Sequence, residues 1–248
     1  MSDPSVSRET ATPPVPDAAR GVFADRLGQA EEYARALATD GVVRGLIGPR
    51  EAPRLWERHL LNSAVLEEAV PSGATVADIG SGAGLPGLVL AIARPDVHVT
   101  LVEPLLRRTT FLDEVVSRLG VTNVRVVRGR ADALHGVEQF DVVTSRAVAA
   151  LPKLAGWCLP LVSGHGEMVA LKGSAVLDEV EEATPELLRL GATAPRVAEL
   201  GVGRVSETTW AVRIAWADPS SVSLPASRSA GSGKGSKGPR RKPRRPHG

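Results

Sequence analysis

The stretch Val76-Ala77-Asp78-Ile79-Gly80-Ser81-Gly82-Ala83-Gly84-Leu85-Pro86-Gly87 decides the fold. A short apolar strand carries an acidic residue near its end, a glycine-rich turn follows at once, and an apolar helix over 85–94 comes next. Glycines allow a tight turn and let a ligand approach the backbone without meeting side chains. The helix start that follows presents free N–H groups to whatever lies above the turn. The arrangement predicts a nucleotide-type cofactor pocket at the first strand of an α/β sheet.

The glycine spacing alone fits two cofactors. Gly82, Gly84 and Gly87 satisfy the dinucleotide pattern G-x-G-x-x-G, and Glu103 ends the next strand about where that pattern places a ribose-binding acid. Asp78 separates the two. A carboxylate just before the turn would repel a pyrophosphate, whereas S-adenosylmethionine has no phosphate and carries an ammonium and a sulfonium. The order D-x-G-x-G-x-G resembles the first motif of class I methyltransferases, with Asp78, Gly80 and Gly82 at the cofactor and Glu103 accepting from the ribose hydroxyls.

Outward from this turn, strands and helices alternate. Strands are expected at 75–79, 97–102, 124–127, 140–144 and 166–171, with helical segments at 107–119, 131–134, 151–161 and 175–190. Such alternation predicts a doubly wound, mostly parallel α/β sheet. Two further β segments, 192–200 and 208–215, are joined by a glycine-containing turn without a helix, so they should pair antiparallel and complete a seven-stranded sheet. Upstream, Val22, Phe23, Leu27, Ala30, Ala34 and Leu37 form one helical stripe, and a second helix is expected over 54–69. The predicted organisation is a disordered start (1–20), N-terminal helices packed on the catalytic domain (21–73), the catalytic domain (74–217) and a disordered tail (218–248).

Charge is unevenly distributed. Residues 219–248 hold eight Lys or Arg and no Asp or Glu, which leaves 22 basic against 28 acidic residues in 1–218, a net of −6. A detached basic tail suits a polyanionic partner; the plainer alternative is a solubilising terminus. The single cysteine, Cys158, sits between Trp157 and Leu159 in an apolar context that predicts buried packing and excludes an intramolecular disulfide or a Cys-based metal cluster. The histidines show no metal-ligand spacing. No leader segment and no apolar run of spanning length is evident, so a cytoplasmic protein without membrane or metal is expected.

A wider set of motifs narrows the substrate. RLWERHLLNS (54–63) precedes the first strand, and RRTTFL (107–112), GRAD (129–132), TSRA (144–147) and ALKG (170–173) follow the glycine turn. In this order they resemble the bacterial small-subunit rRNA methyltransferase G family, once called glucose-inhibited division protein B. The resemblance implies an S-adenosylmethionine-dependent enzyme that methylates N7 of a guanine in the decoding-centre loop of 16S rRNA. The partner is then that RNA or the small ribosomal subunit, and a monomer is expected. The resemblance also implies backbone contacts from Gly80 and Leu85 to the cofactor, adenine held at Ala131 and Asp132, and Arg146 at the junction of cofactor and substrate. Many relatives carry an Arg-His pair at the last strand where this chain has Thr208-Thr209.

Guanine N7 has a lone pair and no proton, so methyl transfer to it needs alignment and no general base. Arg146 and Lys172 are the candidates for positioning. Arg146 could grip the base O6, a phosphate or the cofactor carboxylate, or form a structural ion pair with Asp78 or Glu103. Lys172 could contact phosphate or base, or be a solvated loop lysine. For His59 the expectation is a ring satisfied by a backbone carbonyl, and for Arg107 and Arg108 a solvated helix start. The competing functions are a small-molecule methyltransferase, a non-enzymatic ribosome-associated factor that binds the cofactor, and a nicotinamide-dependent oxidoreductase.

Overall fold

The computed structural model describes residues 12–146 and 149–222. Seven strands form one sheet: β1 (Thr75–Ile79), β2 (His98–Glu103), β3 (Val124–Arg128), β4 (Phe140–Arg146), β5 (Val162–Lys172), β6 (Arg196–Leu200) and β7 (Thr209–Ile214). Their order is β3-β2-β1-β4-β5-β7-β6. The first five run parallel, and β7 inserts antiparallel between β5 and β6. Chain order reverses between β1 and β4, the position where open α/β sheets leave a crevice at the carboxyl ends of their strands. The glycine turn leaves β1 there.

The buried positions follow from the sequence pattern. β1 and β2 are buried along nearly their whole length because helices cover both faces. One core layer joins the N-terminal helices α1 (Asp17–Phe23) and α2 (Leu27–Ala36) to α4 (Gly87–Ala93) and α5 (Leu106–Leu119). The opposite layer packs α6 (Leu151–Cys158) and α7 (Val176–Arg189) on the other face. Cys158 is fully buried there, and burial pushes its thiol pKa up.

Three boundaries differ from the sequence expectation. Helix α1 begins at Asp17, inside the segment expected to be disordered. The helix after the glycine turn begins at Gly87 because Leu85 precedes Pro86, and a residue before proline is steered away from helical geometry. The expected helix over 54–69 is one continuous path with three windings: a π-helix (Leu55–Leu61), a short α3 (Asn62–Ala64) and a 3-10 turn (Val65–Ala69). The basic tail and residues 1–11 lie outside the described residues.

Candidate active site

The turn after β1 is shaped from below. Gly80 and Gly82 take positive φ angles of 73° and 59°. Gly80 N–H donates to the Val102 carbonyl at 2.9 Å, tying the turn to β2. Tyr33, fully buried on α2, donates its hydroxyl to the Ala83 carbonyl at 2.6 Å. A Cβ on Gly84 would lie 2.8 Å from that hydroxyl, so glycine is needed for the helix to come this close. The N-terminal helices therefore support the turn directly.

Above the turn lies a cleft of about 750 Å³ lined by Ile79, Gly80, Glu103, Ala131, Asp132 and Trp157, with Arg108, Lys153 and Arg146 among its cations. That size is within the usual range for small-molecule sites. Glu103 is its best-defined polar group. Oε2 accepts from Gly82 N–H at 3.0 Å and from Arg108 Nη1 at 3.2 Å, and Oε1 accepts from Leu105 N–H at 3.0 Å. A carboxylate offers about four lone-pair sites, so one acceptor site remains, and a second is released if Arg108 swings away. Arg108 is thus engaged with the cleft, and the expectation of a solvated helix start fails at this residue because Glu103 lies within reach.

Asp78 has a different place from the one its motif suggests. It is fully buried beneath the turn and does not line the cleft. Its Oδ2 accepts the first free N–H of α4, from Gly87, at 2.9 Å, while Oδ1 is buried without a hydrogen-bond partner. Burial pushes its pKa up to about 7, against the pull of the Gly87 N–H and of Arg146. Leu85 is likewise buried and absent from the cleft wall; its N–H bonds to the Ser81 carbonyl at 3.1 Å.

Asp78 should make stability depend on pH. An acid whose folded pKa lies above its unfolded value keeps its proton longer in the folded state. Its stabilising contribution is complete below the unfolded pKa of 3.8 and is lost as pH rises through about 7. The loss is roughly 4 kcal/mol at full extent, about 1.4 kcal/mol per unit. Urea unfolding of the cofactor-free protein at pH 5 and pH 8 should show this decline, and Asp78→Asn should flatten it. Identical pH slopes in the two proteins would contradict the assignment.

A second cleft, about 690 Å³, opens beside the first and is lined by Glu51, Arg58, His59, Lys172, Thr208 and Thr209 among others. Arg146, at the end of β4, lines both clefts. Its guanidinium bonds to the Arg58 carbonyl (3.4 Å) and to His59 Nδ1 (3.1 Å), not to Asp78 or Glu103. His59 is held by Arg146 and by Glu51, whose Oε2 is 3.0 Å from Nε2, so its expected carbonyl partner is replaced by two side chains. Lys172 is no solvated loop residue: Nζ donates to Glu179 Oε1 at 2.7 Å and to the Ala149 carbonyl at 3.1 Å.

The family profile described as rRNA small subunit methyltransferase G matches residues 26–205. The chain belongs to this family. A relative from Nocardioides sp., named ribosomal RNA small subunit methyltransferase G, is 62% identical over 91% of this chain and 89% of its own length. One of the same name from Thermobifida fusca is 57% identical over 80% and 84%. Among solved structures, the mitomycin 7-O-methyltransferase MmcR superposes with a TM-score of 0.52 at 16% identity, covering 74% of this chain and 60% of that one, a likeness of fold alone.

Five residues at or beneath these clefts escaped the sequence argument as site residues: Tyr33, Glu51, Arg108, Lys153 and Trp157. Tyr33 is the only tyrosine in the chain and lies on a helix whose other buried residues are all alanine, which was an available signal. Lys153 stacks over the Trp157 ring at 5.2 Å from its centroid, a pair at i and i+4 on α6 that no motif marks. Among the described residues, no three His, Cys, Asp or Glu side chains converge as a metal site, and no helix is long and apolar enough to cross a membrane.

Proposed function

We propose that this chain transfers the methyl group of S-adenosylmethionine to N7 of a guanine in the decoding-centre loop of 16S rRNA. The observation that carries the proposal is the meeting of two clefts at Arg146 on the strand edge of a methyltransferase fold. The first cleft fits the methyl donor. Glu103 can receive ribose hydroxyls, Ala131 and Asp132 can take the adenine, and Gly82, itself outside the cleft lining, holds the Glu103 carboxylate through its N–H at 3.0 Å. When bound there, the cofactor supplies a methyl group on a sulfonium as electrophile.

The second cleft would hold the base, and its residues favour a nucleophile that has no proton to lose. His59 has both ring nitrogens engaged, Glu51 faces His59 and Arg58, and Glu207 faces Arg54. Cys158 is buried away from the cleft, so covalent attack by a thiol has no candidate there. What remains for the protein is alignment and exclusion of water, which can supply much of the acceleration. Arg146 and Lys172 act by position: Arg146 can grip O6 or a phosphate and must leave N7 bare, because a hydrogen bond there would occupy the attacking lone pair.

The test uses labelled S-adenosylmethionine with small subunits, or free 16S rRNA, from cells lacking this methylation. Label at a guanine N7 is the expected result; no transfer, or label elsewhere, overturns the proposal. The tail should contribute electrostatic affinity. Removing residues 219–248 is expected to weaken RNA association and to lower its salt slope by about 0.7 for each phosphate that is no longer neutralised. Cofactor affinity should not change, and an equal loss of both would contradict this division of labour.

A further inference from the structure

Arg146 is held from the N-terminal helices, and the manner of its holding fixes a proton. A guanidinium has donors only. Arg146 Nη2 lies 3.1 Å from His59 Nδ1, so Nδ1 must accept. The ring proton then belongs on Nε2, where it is donated to Glu51 Oε2 at 3.0 Å. The chain Glu51–His59–Arg146 is therefore directional, running from the N-terminal region to the shared wall of both clefts. His59 sits on the π-helix Leu55–Leu61, a rare winding frequently found at functional sites.

We propose that His59 and Glu51 are positioning residues for the methyl transfer: His59, in its neutral Nε2–H form, holds the Arg146 guanidinium at the boundary between cofactor and base. The charged groups facing His59 are Arg146 from β4, Arg58 on the same π-helix and Glu51 from the segment before it. Burial and the neighbouring Arg146 lower the His59 pKa, against the Glu51 hydrogen bond. Protonation would turn a second N–H toward the guanidinium and release it. Methyl transfer should therefore fall on the acid side as His59 takes up its proton.

This inference rests on the proposed rRNA reaction, and the experiment separates the two. His59→Asn retains an acceptor near the Nδ1 position. His59→Gln reaches the Nε2 position and leaves Arg146 without its acceptor; His59→Ala supplies neither. Turnover on small subunits should fall about 10- to 100-fold in H59Q and H59A, the scale of a hydrogen bond to a charged group. H59N should stay well above both and lose the part of the wild-type acid limb that His59 contributes. Glu51→Ala should lower turnover in the same direction by less. Calorimetric S-adenosylmethionine affinity should be unchanged in all four, and any Asp78 titration should persist in them.

The tautomer can be read without substrate from the ¹⁵N shifts of His59 at neutral pH. An Nδ1–H form there overturns the inference. Equal turnover in H59N and H59Q, or an H59N pH profile that coincides with the wild-type profile on the acid side, overturns the positioning role while the reaction stands. A wild-type protein with the expected tautomer that methylates no rRNA overturns the reaction, and the positioning role falls with it.

Discussion

Glu103→Ala is expected to weaken S-adenosylmethionine binding by at least ~100-fold, because two hydrogen bonds to a carboxylate contribute about 1.5–3 kcal/mol each. The carboxylate is almost fully buried at the end of β2, and it already orders three donors: Gly82 N–H, Leu105 N–H and Arg108. Removing it does two things at once. It deletes the acceptors proposed for a ribose diol, and it frees the turn and the start of α5 from each other. Glu103→Gln should be intermediate, since the amide keeps one acceptor oxygen and loses the charge that holds Arg108. Arg108→Ala separates the contributions. If Arg108 merely occupies the second acceptor site, its loss should leave affinity equal or improved. If it grips the cofactor, affinity should fall. Calorimetric titration of the three variants decides between these outcomes, and an unchanged affinity in Glu103→Ala would remove the ribose assignment altogether.

Much of this site was legible in the sequence because glycine, proline and strand alternation have local causes. The run from Val76 to Gly87 marked the strand and the turn, and the two β segments without an intervening helix marked the antiparallel closure. Glu103, Ala131, Asp132 and Arg146, which the sequence singled out, line the first cleft, whereas Asp78, Gly82 and Leu85 do not. Lys172 lines the second. Asp78 was read for its charge, and its position depends on packing: the carboxylate turns inward to satisfy α4 because Gly87 leaves room for it. The links Glu51–His59–Arg146, Tyr33–Ala83 and Arg108–Glu103 were not legible at all. His59 and Arg146 are 87 positions apart and Tyr33 and Ala83 are 50 apart, and only the docking of the N-terminal helices against the sheet brings them together. Arg108 and Glu103 are five apart, but a strand end and a helix start intervene, so no periodic rule places them face to face.

Gly87→Ala should cost the protein about 3 kcal/mol or more, combining overpacking at about 1–3 kcal/mol with a buried hydrogen-bonding group left unsatisfied at about 1–3. A Cβ at this position would lie 2.6 Å from Leu101 Cδ2, 2.7 Å from Asp78 Cβ and 2.8 Å from Asp78 Oδ2. Both neighbours are fully buried in central strands, so neither can move aside. The relief available is to push α4 away from β1 and β2, which stretches the 2.9 Å bond from Gly87 N–H to Asp78 and leaves the whole carboxylate without a partner. Against a typical total of about 5–15 kcal/mol, that is a large fraction of the stability. Gly82→Ala is the matched control. Its Cβ would meet only the Gly80 carbonyl oxygen at 3.8 Å, and its positive φ of 59° adds strain of about 1–2 kcal/mol. That variant should remain folded because its methyl group has room, and its loss should fall on cofactor affinity because Gly82 N–H holds Glu103, which lines the cleft. Chemical denaturation and calorimetric titration of the pair should therefore give opposite profiles: stability lost first in Gly87→Ala, binding lost first in Gly82→Ala. Equal stability losses in the two would show that the turn's strain, and not the packing of α4 on the sheet, sets the need for glycine here.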